Sequence, residues 1–227
     1  MADVDVGKVG KLFIMKKNQL KMLRRRGYDI TKEESLLSYT LKDFMKIYLP
    51  FAKKSGKTLR GVLSQTYEKI QTEGKEQKPE RLYVFFAEED SKHKQLGVDI
   101  LGEMISDMDK FRAKNGILIS PVPLSSSSKK KIEELLSYNI YVFMENEMAY
   151  DPTEHYLTPA HRALSIEEQR EFLGKNNISI DQIPIILSSD MISRYYGFKP
   201  GQIIEIKRIN LYETLIQESL AYRAVKE

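Results

Sequence analysis

Four serines followed by three lysines, Ser125 to Ser128 and Lys129 to Lys131, end a stretch that begins Ser120-Pro121-Val122-Pro123-Leu124. Two prolines stiffen the approach, and the serines open a helix. Unpaired N–H groups at a helix start, serine hydroxyls and the positive end of the helix dipole suit a phosphate, and three ammonium groups add charge. An ordinary serine-capped helix with solvated lysines carries the same letters.

Other chemistry is incomplete. Gly56-Lys57-Thr58 has the end of a phosphate-binding loop, but Phe51 stands where the loop needs its earlier glycine. Asp90-x-Lys92 follows an apolar strand, as the acid and lysine of restriction-type nucleases do, yet no second acid is identified to converge on the same cation. His155 and His161 straddle Pro159 without a third ligand nearby, which favours a structural role at a subunit contact over a metal site. His93 lies in a charged loop. No nucleophile with a matching base and no dinucleotide motif appears, so no catalytic site, metal, cofactor or small-molecule substrate is expected.

The elements that position these residues follow from periodicity. Val6 to Arg26 reads as a helix with Val9, Leu12, Met15, Leu20 and Leu23 on one face and Gly27 as its stop. Thr31 and Glu34 form a capping box for a short second helix, and Thr40 caps a third that Pro50 ends. Leu59 to Ile70 leans toward a strand, and Gln71 to Glu80 is a polar loop. Arg81 to Ala87 is an apolar strand covered on both faces. A helix over Leu96 to Phe111, a turn at Asn115-Gly116, a strand over Ile117 to Ile119, a helix over Lys129 to Ser137 and a strand over Ile140 to Phe143 then argue for a parallel α/β sheet.

Asp190 to Arg208 is the sharpest segment. Ser189 or Asp190 caps a short helix with Met191, Ile192 and Tyr195 on its apolar side and Asp190 and Arg194 one turn apart. Gly197 ends it, Pro200-Gly201 makes a type II turn, and Ile204 and Ile206 share one face of an exposed strand. A small α+β unit results.

The chain has 227 residues and no cysteine, which rules out disulfides and cysteine-built zinc sites and suits a reducing compartment. No apolar run reaches a membrane span, and Met1 to Val9 lacks a secretory core, so an intracellular protein is expected. Residues 1–146 carry 27 Lys and Arg against 20 Asp and Glu, whereas residues 147–227 carry 9 against 12. That asymmetry favours a polyanion near the first part and a protein partner for the second, although solvated lysines look the same.

The Asp190-to-Arg208 segment resembles the C-terminal domain of the fifth-largest subunit shared by eukaryotic nuclear RNA polymerases, which is related to the H-type subunit of archaeal polymerase. Thr153-Glu-His-Tyr-Leu-Thr-Pro-Ala-His161, followed by Leu164 and Glu167, resembles the family's histidine-proline-histidine signature. Gln182-Ile183-Pro184-Ile185 and the closing Tyr222-Arg223 agree with it. Thr158 stands where valine is usual, and Asn210 to Leu220 lacks the family's serine and glycine pattern. More weakly, Arg26-Gly27-Tyr28, Val84-Phe85-Phe86 and Gly116 to Ile119 sit in the order of the eukaryotic N-terminal jaw domain, which archaeal relatives lack.

The resemblance implies a restriction-endonuclease-like α/β jaw domain over 1–146 and an α+β assembly domain over 147–227, with the boundary between Glu145 and Thr153. It implies a non-catalytic subunit of a DNA-directed RNA polymerase, near downstream duplex DNA and anchored to the largest subunit, with transcription regulators as further partners and no membrane. It places Lys92 and Lys94 beside the Ser125-to-Lys131 surface, facing DNA. It assigns His155, Pro159, His161, Arg194, Tyr195, Gly197, Pro200, Gly201, Arg208, Tyr222 and Arg223 to subunit contact. Such a protein works in the nucleus, or in a cytoplasmic viral factory or virion if encoded by a large DNA virus. The alternative is a free-standing nucleic-acid-binding or nuclease-derived protein sharing only the fold.

Overall fold

The structure, a computed structural model, describes residues 5–70, 79–89, 94–210 and 217–227. Two compact units divide the chain, Met1–Tyr150 and Asp151–Glu227. No described helix is long and apolar enough to cross a membrane.

The first unit opens with α1 (Val6–Arg25), capped by Asp5, whose carboxylate accepts the Lys8 N–H at 3.1 Å. The expected apolar stripe is buried, with Leu20 and Leu23 at 0% exposure. Gly27 takes φ +80°, a left-handed angle that L side chains resist, and the chain turns there as Tyr28 N–H reaches back to Leu23 at 3.0 Å. Thr31–Ser38 is a 3₁₀ segment and carries no capping box: Thr31 donates instead to Asp29. The box lies at α2 (Leu41–Ser55), between Thr40 and Asp43. Pro50 does not end α2. It sits on the exposed side, where the bond it cannot donate leaves a carbonyl open to water, and Gly56 at φ +66° ends the helix.

The stretch expected as one strand from Leu59 divides into α3 (Leu59–Leu63) and β1 (Gln65–Glu68). Thr58 accounts for the break, because its hydroxyl oxygen accepts the Gly61 N–H at 3.0 Å and caps a helical turn. The polar loop that follows falls mostly outside the described residues. The sheet runs β1-β2-β3-β4, with β2 (Arg81–Phe86), β3 (Asn115–Ser120) and β4 (Asn139–Met144) parallel and β1 antiparallel on β2.

Parallel neighbours need crossovers, supplied by α4 (Val98–Lys110) and α5 (Ser126–Glu134). Asn115-Gly116 is the start of β3 and makes no turn. A Cβ at Gly116 would lie 2.6 Å from Met104 Cε and 2.9 Å from Met108 Sδ, so glycine is there to let α4 pack on the strand. Met104 and Met108 pack with Tyr83 and Leu118 on that face, while Leu82, Val84, Phe86, Ile117, Ile119 and Phe143 on the other are at most 1% exposed.

A charged group is sealed into this unit. Lys16 is 0% exposed, and its ammonium donates to Tyr67 Oη at 2.6 Å and to the Leu63 carbonyl at 3.3 Å, with Glu33 at 3.1 Å. Tyr67 donates to Glu33, as does Tyr48 at 3.3 Å. α1, the 3₁₀ segment, α2, α3 and β1 thus meet on one buried charge. Removing one partner of such a pair strands the other in low dielectric, a cost of about 3–5 kcal/mol. Lys16→Met is therefore expected to lower the first unit's stability by about that amount, measured by urea unfolding with circular dichroism, and Lys16→Met with Glu33→Leu to recover part of it. An unchanged midpoint in the single variant would exclude this role.

The second unit is a mixed sheet in the order β5-β7-β8-β6, comprising β5 (Ala160–Ala163), β6 (Ile185–Leu187), β7 (Ile203–Asn210) and β8 (Gln217–Lys226). β6 runs parallel to β8, and the other pairs are antiparallel. α6 (Ile166–Asn176) starts at a Ser165–Glu168 capping box and covers one face, where Phe172 and Leu173 meet Ile203 and Tyr222. α7 (Met191–Tyr196) lies over the other face, on the side of Ile204 and Ile206. Asp190 caps it by accepting the Ile192 N–H at 2.8 Å, and Gly197 closes it at φ +71°. Gly201 at φ +86° and a 3.1 Å bond from Gln202 N–H to the Lys199 carbonyl complete the type II turn. β7 is not the exposed strand the sequence suggested. It is central, with β5 and β8 on its two sides, because Ile203 faces one core and Ile204 and Ile206 the other.

Candidate subunit and nucleic-acid interfaces

The serine-lysine stretch folds one residue run earlier than its charge suggests. α5 begins at Ser126, since Ser125 Oγ accepts the Ser128 N–H at 3.1 Å and pairs with the Ser128 hydroxyl at 2.8 Å. Ser128 is 0% exposed and donates to the Leu96 carbonyl at 2.8 Å. Ser125 and Ser128 are therefore spent on capping and docking, and Ser128 cannot meet a phosphate. The helix also ends earlier, at Glu134, with Leu135 as its cap.

The Leu96 contact has a second consequence. Leu96 N–H bonds the Pro123 carbonyl at 2.9 Å and Ser125 N–H the Leu96 carbonyl at 3.1 Å, which joins the segment before α4 to the start of α5. Lys94, two residues away, is exposed, as are Ser126, Ser127, Lys129, Lys130 and Lys131. Lys92 lies outside the described residues, with Asp90 and His93. Three consecutive helical lysines spread over about 200° of the helix, so they give a diffuse positive field and not a clamp. Among the described residues no group of three or more His, Asp or Glu side chains could hold a metal. Lys57 sits between two caps, Gly56 ending α2 and Thr58 opening α3, which explains the glycine-lysine-threonine letters without a phosphate.

In the second unit the histidine-proline stretch becomes a rim. Pro152–Glu154 makes one 3₁₀ turn, His155 Nδ1 accepts the Leu157 N–H at 3.2 Å, and its ring stacks on Tyr156 at 5.0 Å. His161 Nδ1–H donates to the Pro159 carbonyl at 2.7 Å. Between this rim and the far end of β7 lies an open groove of about 580 Å³, lined by Tyr156, Leu157, Pro159, Lys207, Arg208 and Glu218. Lys207 is paired with Glu218 at 2.7 Å, so Arg208 is the groove's uncommitted cation among the described residues. Pairing register sets His161 opposite Ile206 and Arg223 opposite Ile204, so that His161, Arg208 and Arg223 share the α7 face of the sheet.

The remaining expected contact residues divide. Arg194 Nε donates to the Ser189 carbonyl at 3.0 Å and Arg223 to the Ile185 carbonyl at 3.2 Å. Tyr195 is 1% exposed and belongs to the core, so it positions α7 and presents nothing to a partner. Tyr222 lies on Phe172 at 4.2 Å with its hydroxyl toward Glu205. Gly197, Pro200 and Gly201 act through backbone shape. Sequence reasoning missed Tyr156 and Leu157, 77% and 60% exposed, and the Ile185 and Leu187 pair on β6, 51% and 50% exposed. The alternation Ile185-Ile186-Leu187 reads as wholly apolar, and only the edge position of β6 exposes its outer pair.

Burial holds His161 below its ordinary value of 6.5 against the pull of the Pro159 carbonyl and of Asp190, and Arg223 and Arg208 push the same way as burial. A histidine whose folded value is depressed binds fewer protons folded than unfolded, so stability falls as pH drops through about 6.5 toward the folded value. The second unit is expected to lose stability between pH 7 and 5, with the slope reduced in His161→Phe. NMR titration of the His161 ring in folded and urea-unfolded protein checks the sign, and equal midpoints would refute it.

Comparison with known proteins agrees with both units. The RNA polymerase Rpb5 N-terminal domain family matches residues 7–108, and the Rpb5 C-terminal domain family matches residues 150–225. A DNA-directed RNA polymerase subunit 5-like protein 1 of Arabidopsis thaliana is 28% identical over 210 residues, covering 92% of this chain and 93% of the relative. The RPABC1 subunit of RNA polymerases I, II and III of Caenorhabditis briggsae is 26% identical over 201 residues, with 87% and 89% covered. An Arabidopsis thaliana RNA polymerase V subunit 5A is 28% identical over 216 residues, with 95% and 88% covered. With both domain families matched in order and the relatives spanned nearly end to end, this chain belongs to the Rpb5 family of DNA-directed RNA polymerase subunits.

Proposed function

We propose that this polymerase subunit is non-catalytic, that its first unit forms part of a jaw beside downstream duplex DNA, and that its second unit anchors it to the largest subunit in the nucleus. The observation that carries the anchoring role is the groove at Tyr156, Leu157, Pro159 and Arg208, where exposed apolar side chains lie beside a cation that forms no ion pair among the described residues. Two large apolar side chains side by side with a charge at the rim are the surface expected of a protein contact. The DNA role rests on the exposed Lys94, Lys129, Lys130 and Lys131 and on the +7 balance of residues 1–146. A polymerase holds every sequence that passes, so phosphate contacts without base readout fit the task.

Anchoring is tested at the turn that feeds β7. No atom lies within 4 Å of a Cβ built at Gly201, so a side chain has room, but φ +86° remains costly for a β-branched residue. Gly201→Val is expected to reduce co-purification with the large polymerase subunits. A folded valine variant that incorporates at the wild-type level would refute the reading.

The jaw role is tested by salt. Changing Lys129, Lys130 and Lys131 together to alanine is expected to weaken the assembled polymerase's hold on downstream duplex and to reduce the slope of log affinity against log salt by roughly one to three phosphate equivalents. An unchanged slope would return these lysines to a solvated helix face.

A further inference from the structure

We propose that the outer edge of β5 is a strand-addition site, on which an extended segment of a neighbouring polymerase subunit pairs with His161 and Ala163. This deepens the anchoring reading and rests on it. Among the described residues β5 ends the sheet, hydrogen-bonded to β7 alone. The register pairs Ala160 with Lys207 and Ala163 with Ile204, and continues to Leu164, whose N–H bonds the Ile203 carbonyl at 2.9 Å. In an antiparallel ladder the bonded pairs alternate, so Leu164, Arg162 and Ala160 turn their backbone groups inward. The N–H and C=O groups of His161 and Ala163 therefore point outward, away from β7. Buried without partners, they would cost free energy, and open to water they are a template for another strand.

The edge is short and guarded. Pro159 precedes it and removes one donor, and Arg162 turns a charge toward Glu168 and Glu205 at 2.7 and 3.1 Å, devices that discourage indiscriminate pairing. What remains is two residues whose outward groups have no partner among the described residues and, at the Ala160 end of the same edge, the groove of Tyr156, Leu157, Pro159 and Arg208. Strand addition takes affinity from main-chain bonds and specificity from pockets for side chains. The occupant fitting both features is an extended segment that bonds His161 and Ala163 through its backbone. It sets an apolar side chain against Tyr156 and Leu157 and offers a carboxylate to Arg208. β6, the other edge, is less suited, since Arg223 already occupies the Ile185 carbonyl.

The inward and outward alternation makes the test specific. Proline is tolerated on an edge strand where its missing N–H faces solvent, so Ala163→Pro removes an outward donor and leaves the β7 ladder intact. Full-length Ala163→Pro is expected to keep the wild-type circular dichroism and unfolding midpoint and to enter the polymerase at least about tenfold less well, with a backbone ester at 163 roughly threefold less well. The ester removes that N–H and also weakens the inward Arg162 carbonyl as an acceptor, and its unfolding midpoint reports the second effect. Should the proline variant misfold, the ester decides. Hydrogen exchange gives an independent readout: the His161 and Ala163 amides exchange fast in the free chain and slowly in assembled polymerase. If proline and ester variants incorporate normally while Leu157→Asp does not, the groove anchors the chain without strand addition and the inference falls alone. If all three incorporate normally, the anchoring reading falls as well.

Discussion

The first unit depends on a charge that has nowhere else to go. Lys16 is sealed at 0% exposure, and desolvation holds its ammonium below its ordinary value against the pull of Glu33. A lone lysine there would be expelled, and it stays because three elements supply acceptors. Tyr67 is pushed far above its ordinary value by burial and by Glu33, so it remains a neutral donor to the carboxylate and an acceptor to the ammonium. Apolar side chains at these positions would pack in many ways. A lysine that must meet a carbonyl, a phenol and a carboxylate together admits one arrangement of α1, the 3₁₀ segment and β1. On the proposed reading that register matters, because the N-terminal helices and the sheet bearing α5 share one unit.

The second unit obtains its order from backbone geometry more than from charge. Two left-handed glycines, Gly197 and Gly201, lie four residues apart, and Pro200 presets the angle before the second. Between them the chain drops from α7 into β7, setting Ile203, Ile204 and Ile206 into two cores at once. β7, paired on both sides and packed on both faces, consequently leaves exposure to its neighbours. On the proposed reading, the edge strand β5 and the Tyr156-Leu157 rim carry what the central strand cannot.

This division explains what was legible. Asp190 to Arg208 could be read almost residue by residue because each step is local: a cap, a left-handed stop, a proline-glycine turn and an alternating strand. The parallel strands after Arg81 were legible for the same reason. Asn115-Gly116 was misread as a turn because its cause is not local, since the methionines of α4 lie across it. Pro50 was misread as a stop because exposure, unknown from sequence, decides whether a missing N–H matters. Central and edge strands share one alternation, so β7 could not be placed, and the exposed Tyr156 and Leu157 could not be told from core residues. Lys16 looked like any basic residue on a helix.

The serine run shows how such a surface is limited by its own folding. A helix start with four serines looks rich in donors, yet Ser125 and Ser128 use theirs to close the cap and to hold Leu96. That bond joins the Lys94 segment to the start of α5, so building the basic surface consumes donors that a phosphate would need. What remains are two exposed serines and lysines fanned around a helix. Strongly hydrated ammonium groups on flexible stems act as point charges without bidentate geometry. Their pull on a duplex is long in range, weak at each contact and indifferent to sequence. On the proposed jaw reading, DNA must advance past the surface one base pair at a time; a rigid, fully satisfied phosphate cradle would then be an obstacle, and a cap that spends its best donors internally avoids making one.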